Sequence, residues 1–214
     1  MEIIRVGHSS FKIKGKQATV VMDPYDPDML GIKYPKVEAD LVTISHDHPD
    51  HHFAAAVEGS PIILSAPGEY EVKGVKVFGI SVFHDDEKGA KRGKNTLFRI
   101  EIDKVSILHC GDLGHKLSDK ELDLIDGVDI LLVPVGGFFT ISAQVASEVV
   151  AQVEPKIVIP MHYNEDRINQ ENFGQLTKVD VFLKEMGKPD ITPVPKLSVT
   201  KDKLPAELTV AVLE

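Results

Sequence analysis

The stretch Ser45-His46-Asp47-His48-Pro49-Asp50-His51-His52 decides how the chain is read. It contains H-x-H-x-D-H, at His46, His48, Asp50 and His51, directly after the apolar run Leu41 to Ile44. Four imidazole or carboxylate side chains within six residues cannot all pack into an apolar core. A loop at the end of a buried strand can turn them into one mouth. Imidazole nitrogen with carboxylate oxygen suits Zn²⁺, Fe²⁺ or Mn²⁺. With nine histidines in 214 residues, chance produces this pattern in roughly one of a thousand such chains.

One loop supplies too few ligands for a closed site. Three further ligand-type residues each end a predicted strand. His84 follows Val75 to Phe83, and His162 follows Ile157 to Met161. Asp112 lies in His109-Cys110-Gly111-Asp112-Leu113-Gly114-His115, after Val105 to Leu108. Strand ends gathered on one edge are rigid supports for a metal. The single cysteine, Cys110, excludes an intramolecular disulfide framework and a cysteine-based structural zinc site, and reads as a small buried hydrophobe.

Outward from these residues the first third reads as strands: Glu2 to Val6, Ser10 to Lys14, Gln17 to Met22 and Asp40 to Ser45. Ile62 to Ser65, Val75 to Val82, Thr96 to Ile102 and Val105 to Leu108 continue the pattern. The second half adds helices. Ser118 to Ile125 has a capping-box spacing, Ser118 with Glu121. Ser142 to Val153 is capped by Ser142 and stopped by Pro155, and Phe173 to Met186 is predicted helical with Gly187 as its cap. Asp129 to Val135, Lys156 to Pro160 and the alternating tail Leu208, Val210, Val212 return to strand. Strands first, then interleaved helices and strands, predict two sheets with helices outside.

Twenty-four basic against 33 acidic residues give a net charge of −9. Such a chain is repelled by polyphosphate, so no nucleic-acid partner is expected. The N-terminus lacks a basic segment followed by a long apolar one, and no run approaches the ~20 residues of a membrane span. The expectation is a soluble cytoplasmic protein with no membrane partner.

With these motifs the chain resembles the metallo-β-lactamase fold superfamily. Gly7-His8-Ser9-Ser10-Phe11, Pro67-Gly68-Glu69-Tyr70, Arg92-Gly93-Lys94-Asn95-Thr96 and Pro160-Met161-His162-Tyr163 are similar to its branch of small metal-dependent hydrolases. That branch includes the ascorbate-6-phosphate lactonase-like proteins. The resemblance implies an α/β (α+β) four-layer αββα sandwich, a single domain over residues 1–214, with its metal site along one edge. It implies two divalent metal ions, Zn²⁺ first, with Mn²⁺, Fe²⁺ or Ni²⁺ as alternatives. His46, His48 and His84 would hold one metal, and Asp50, His51 and His162 the other, with Asp112 bridging. Asp85 stands as a substitute for His84. Drug-hydrolysing β-lactamases of this fold usually carry a cysteine near the Asp112 position; Cys110 is two residues away, so β-lactam hydrolysis is not indicated. Small members of the fold often associate, which makes a homo-oligomer an open expectation.

The activity so implied is hydrolysis of an ester-type or phosphoester-type bond in a small, anionic or neutral substrate. Two metals sharing a water lower its pKa toward ~7 and make it a nucleophile. Asp50 would hold that water and shuttle its proton, and His115 would serve as proton donor or as a partner of a ligand. His8, at a turn, reads as a site-edge residue that touches substrate or as an ordinary turn histidine. Arg92, in the only basic cluster, Glu87 to Lys94, reads as substrate-binding or as part of a solvated loop, and Asn95 beside it as substrate-binding or as closing the turn. Asp23 reads as a support of the metal loop or a simple Asp-Pro turn. His109 reads as packed and His52 as peripheral. Two other activities of the same fold remain as alternatives, a nuclease or phosphodiesterase on nucleic acid and an iron-dependent redox enzyme.

Overall fold

Alternation along two short strands shows how the layers form. Val20 and Met22 enter one apolar cluster while Val21, between them, enters another. Leu41 and Val42 part in the same way. Each strand therefore separates two cores, as the period of two requires.

The computed structural model describes residues 1–214. In chain order the strands are β1 (Glu2–Gly7), β2 (Ser10–Lys14), β3 (Thr19–Met22), β4 (Val37–Glu38), β5 (Leu41–Thr43), β6 (Val57–Glu58), β7 (Ile62–Leu64) and β8 (Gly68–Val72). There follow β9 (Val75–Phe83), β10 (Lys94–Ile102), β11 (Val105–His109), β12 (Ile130–Pro134), β13 (Ile157–Met161), β14 (Leu197–Ser198) and β15 (Thr209–Val210). The helices are α1 (Pro27–Leu30), α2 (Asp119–Ile125), α3 (Ala143–Val153), α4 (Gln170–Phe173) and α5 (Val179–Glu185). None is long and apolar enough to cross a membrane.

One sheet runs β14-β1-β2-β3-β5-β7 and the other β15-β13-β12-β11-β10-β9-β8. The larger core joins Phe11, Ile13, Val20 and Leu41 of the first to Val77, Leu97, Ile107 and Leu131 of the second, so the sheets pack face to face. Every residue of β11, β12 and β13 is buried, because helices cover the far face of these parallel strands. Ala146, Val149 and Val150 of α3 and Phe182 of α5 pack there. This is the α/β sandwich expected, with one modification. The outer layer on the first sheet is built from the one-turn helices α1 and α4 and the strand pair β4–β6, around Val21, Leu30, Val37, Val42 and Phe173.

The cap signals at α2 and α3 hold. Ser118 and Glu121 form a reciprocal capping box, and the Ser142 side chain accepts from Val145 N. Of the helix predicted over Phe173 to Met186 only Val179–Glu185 forms, as α5, and Phe173 ends the separate one-turn α4. Thr177 N donates to Gly136 O at 2.8 Å, and Thr177 O accepts from Asn164 N at 2.9 Å. Those bonds to two other loops take the groups that a continuous helix would pair internally, so tertiary partners override the helical spacing of Leu176. The strands β4, β6, β8 and β14 and the helix α1 carry too few residues or too polar a pattern to be read from sequence.

Strand direction sets the site. β11 and β13 run parallel through β12, and β9 is antiparallel to β10, itself antiparallel to β11. The C-terminal ends of β9, β11 and β13 therefore emerge on one edge, where His84, Asp112 and His162 follow.

Candidate metal centre

The loop after β5 is held from below by Asp23, a fully buried residue in the left-handed region at φ 44°. Its carboxylate accepts from Ser45 N at 2.8 Å, from Ser45 Oγ at 2.5 Å and from His51 Nδ1 at 2.9 Å. Because Ser45 Oγ spends its proton on Asp23, it accepts from His46 Nδ1 at 2.9 Å. Both bonds place the proton on Nδ1 and leave Nε2 of His46 and His51 with an open lone pair. The loop then turns back on itself, with His51 N and His52 N both donating to His48 O.

Three groups of ligand-type atoms lie within 4.8 Å of one another: His46, His48 and His84; Asp50, His51 and His162 together with His8; and the supporting Asp23 with His46 and His51. Asp112 lies between the first two. Its Oδ2 is 3.1 Å from His84 Nε2 and 3.2 Å from His162 Nε2, and its Oδ1 is 3.2 Å from His51 Nε2. These atoms meet without hydrogen-bond geometry. The buried Nε2 atoms of His46, His51 and His162 and Asp112 Oδ1 have no hydrogen-bond partner. Buried polar groups left unpaired are costly, and nitrogens and oxygens converging in this way fit divalent cations.

Charge within the cluster points the same way. Burial, with His51 as neighbour, pushes His46 down to about 3, and burial with His162 pushes His8 down to about 4. Burial also opposes a charged His51, but Asp112 and Asp50 override it and hold His51 well above the ordinary histidine value. Burial would raise Asp112, yet His162, His51 and His84 keep it well below the carboxylate range.

The structure brings all seven expected ligand residues together, and it separates His84 from Asp85. The Asp85 carboxylate faces away, accepting from the backbone N–H of Glu87, Gly89, Lys91 and Arg92 at 2.7–3.0 Å. Those four bonds draw Asp85 down to about 2 and organise the basic loop.

Three further candidates, His8, Asn95 and His115, are held by other parts of the protein. His8 is fully buried and donates from Nε2 to Asp50 Oδ2 at 3.2 Å, its ring 4.1 Å from that of His162, so it supports the cluster rather than facing substrate at a rim. Asn95 is buried, donating to Cys110 O at 2.8 Å and accepting from Asp112 N at 3.1 Å. Its amide holds the Cys110–Asp112 turn, and burial closes it off from the cavity. His115 accepts from Phe83 N at 3.2 Å and donates to Lys116 O at 2.7 Å, so both ring nitrogens are tied to backbone and no proton is free for donation. His109 is packed, donating to Ser9 O, and His52 pairs with Asp47 at the surface.

A cavity of about 220 Å³ opens over His48, Asp50, His84 and Asp112, with walls from Arg92, Met29, Phe139, Asn172 and Phe173. Met29, Asn172 and Phe173 carry no signal in the sequence, because their role depends on α1 and α4 meeting: Asn172 Nδ2 donates to Met29 O at 3.0 Å. Arg5 is a further residue without such a signal. It is buried, and it ties His8 O to Tyr163 Oη, each at 3.0 Å, across a sequence separation of 158 residues for Tyr163.

A family model described as a beta-lactamase superfamily domain matches residues 2–162. A UPF0173 metal-dependent hydrolase of Thermococcus onnurineus is 32% identical over 187 residues, 74% of this chain and 83% of that protein. One from Pelotomaculum thermopropionicum is 31% identical over 195 residues, 77% and 85% of the two chains. Among solved structures, a Thermotoga maritima protein of the metallo-β-lactamase superfamily superposes with a TM-score of 0.81 at 37% identity, covering 99% of this chain and 97% of that one. The two sheets, the buried His/Asp cluster at their edge and these similarities together make the chain an enzyme of the metallo-β-lactamase superfamily, belonging to its branch of metal-dependent hydrolases.

Proposed function

We propose that the chain hydrolyses an ester-type or phosphoester-type bond of a small substrate, using two divalent metal ions, zinc foremost. The observation that carries this reading is the pair of adjoining ligand groups with Asp112 between them and buried nitrogens left without partners. His46, His48 and His84 would hold one ion, Asp50, His51 and His162 the other, and Asp112 both. Such ions supply a water that ionises near neutral pH and a Lewis acid for the oxygen under attack.

The chain's own groups do the rest. Asp50 Oδ2 is occupied by His8 Nε2, which leaves Oδ1 without a protein partner and able to take a proton from water in the cavity. Asp23 and Ser45 fix the tautomers of His51 and His46. Asn95 orients Asp112 through its backbone N–H. Phe139 and Phe173 keep one wall apolar, which limits competing water. The cavity volume and the net charge of −9 favour a small molecule over a nucleic acid.

The test is metal analysis by mass spectrometry with a panel of lactone, phosphodiester and thioester substrates. About two metal ions per chain are expected, with hydrolysis of at least one class lost by 100-fold or more in His48→Ala and Asp112→Ala. Wild-type rates indistinguishable from both variants across the panel would sink the reading.

A further inference from the structure

Arg92 is set differently from the other cations around the cavity. Lys91 pairs with Glu87, and Lys116, beside it, pairs with Glu148. Arg92 forms no ion pair, in a chain with 33 acidic residues against 24 basic ones. Its one side-chain hydrogen bond runs from Nη2 to Phe138 O at 3.3 Å, and its guanidinium lies 5.1 Å from the centre of the Phe139 ring. The neighbouring carboxylate, Asp85, is already filled by four backbone N–H groups, that of Arg92 included. The bond from Arg92 N to Asp85 Oδ2 at 2.7 Å anchors the Arg92 backbone, while most of the five N–H donors of its side chain stay unspent.

The guanidinium also occupies a particular place. Arg92 lines the 220 Å³ cavity that holds His48 and Asp112, and it lines a second, adjoining cavity of about 450 Å³. It therefore stands at the junction of the two. The Phe139 ring and the bond to Phe138 O give the guanidinium two contacts at that place, and a planar guanidinium fork is the group that binds a carboxylate or phosphoryl oxygen pair in two parallel bonds. The inner cavity is below the ~300–1,000 Å³ usual for ligand pockets, so only a short apolar linker fits between the reacting centre and Arg92.

We propose that Arg92 is the specificity residue of the site, and that the substrate carries an oxyanion, carboxylate or phosphoryl, a few carbon atoms from the bond that is cleaved. The oxyanion would sit on the Arg92 fork at the junction, with the linker against Phe139 and Phe173. This rests on the metal-dependent hydrolase reading given above.

Isothermal titration of the zinc-loaded protein with butyrate, glutarate and 4-phosphonobutyrate tests it. All three present one carboxylate on a short chain, and the last two add an oxyanion at the far end. Glutarate or 4-phosphonobutyrate is expected to bind at least about tenfold more tightly than butyrate, and the tighter of the two identifies the oxyanion. Arg92→Gln should bring the three within about twofold of one another with butyrate affinity unchanged, and Arg92→Lys should fall between. Equal affinities in the wild type, or a preference that survives in Arg92→Gln, would overturn the proposal. Zinc content measured on the same samples keeps the two readings apart: loss of zinc from the wild type counts against the metal centre, whereas full zinc with no oxyanion preference counts against Arg92 alone. Melting curves of both variants confirm that they are folded.

Discussion

His51 Nδ1 donates to Asp23 Oδ2 at 2.9 Å, and the opposite ring nitrogen, Nε2, lies 3.2 Å from Asp112 Oδ1. One imidazole is thus clamped between a carboxylate that only positions it and one that shares its site. Because Asp23 Oδ2 also takes the proton of Ser45 Oγ, the same carboxylate orients His46 through the serine.

Asp23→Asn is therefore expected to weaken metal binding while leaving every metal-ligand residue in place. An amide keeps one acceptor oxygen but cannot accept from Ser45 N, Ser45 Oγ and His51 together. Loss of such an outer partner typically costs 10–100-fold in metal affinity. Competition titration against a chromogenic chelator measures this, and an unchanged affinity would remove Asp23 from the account.

Metal binding should strengthen with pH. In the metal-free protein, buried His46 and His8 stay neutral down to about 3 and about 4, while the unfolded chain takes up protons below ~6.5. Stability from these two is lost as pH falls. His51 acts oppositely. Its raised value contributes stability that is complete below ~6.5 and is lost as pH rises through the folded value. A bound cation replaces that proton, so the metal-induced rise in Tm should be larger at about pH 8.5 than at about pH 5.5. Scanning calorimetry of chelator-treated and zinc-supplemented samples checks the sign.

Asn95→Ala should act on stability and on Asp112 rather than on substrate binding. It leaves the buried Asp112 N–H and Cys110 carbonyl without their partners, at a cost of about 1–3 kcal/mol. Denaturant unfolding of the metal-free protein measures the loss. A fully stable variant with only a raised KM would restore Asn95 to the substrate.

His115→Gln should leave the pH–rate profile unshifted, because both ring nitrogens already serve backbone groups. Disappearance of one limb of that profile would show that His115 supplies a proton after all.

Gly136→Ala should loosen the loop that carries His162. A Cβ at position 136 would fall 2.2 Å from His162 O, a backbone atom that cannot yield without moving His162. About 1–3 kcal/mol of stability and part of the metal affinity should be lost together. Equilibrium unfolding with and without zinc separates the two effects.

Much of the site was legible because metal chemistry leaves a local trace. The spacing of His46, His48, Asp50 and His51 lies within one loop, and His84, Asp112 and His162 each end a run of buried apolar residues that is recognisable as a strand. Ser118 and Ser142 likewise mark α2 and α3, because capping is a bond across three residues. What stood outside the sequence was the direction in which side chains point. Whether His84 or Asp85 faces the cluster depends on where four loop N–H groups converge. The positions of His8, Asn95 and His115 depend on Asp50, Cys110 and Phe83, which come from other segments of the chain. The break between α4 and α5 depends on Gly136 and Asn164, and the cavity wall depends on Met29 meeting Asn172 across 143 residues. Residue type and spacing determine which atoms are able to bind a metal. Hydrogen bonds between distant segments decide which of them do, since each buried polar group must find its partner in the assembled fold.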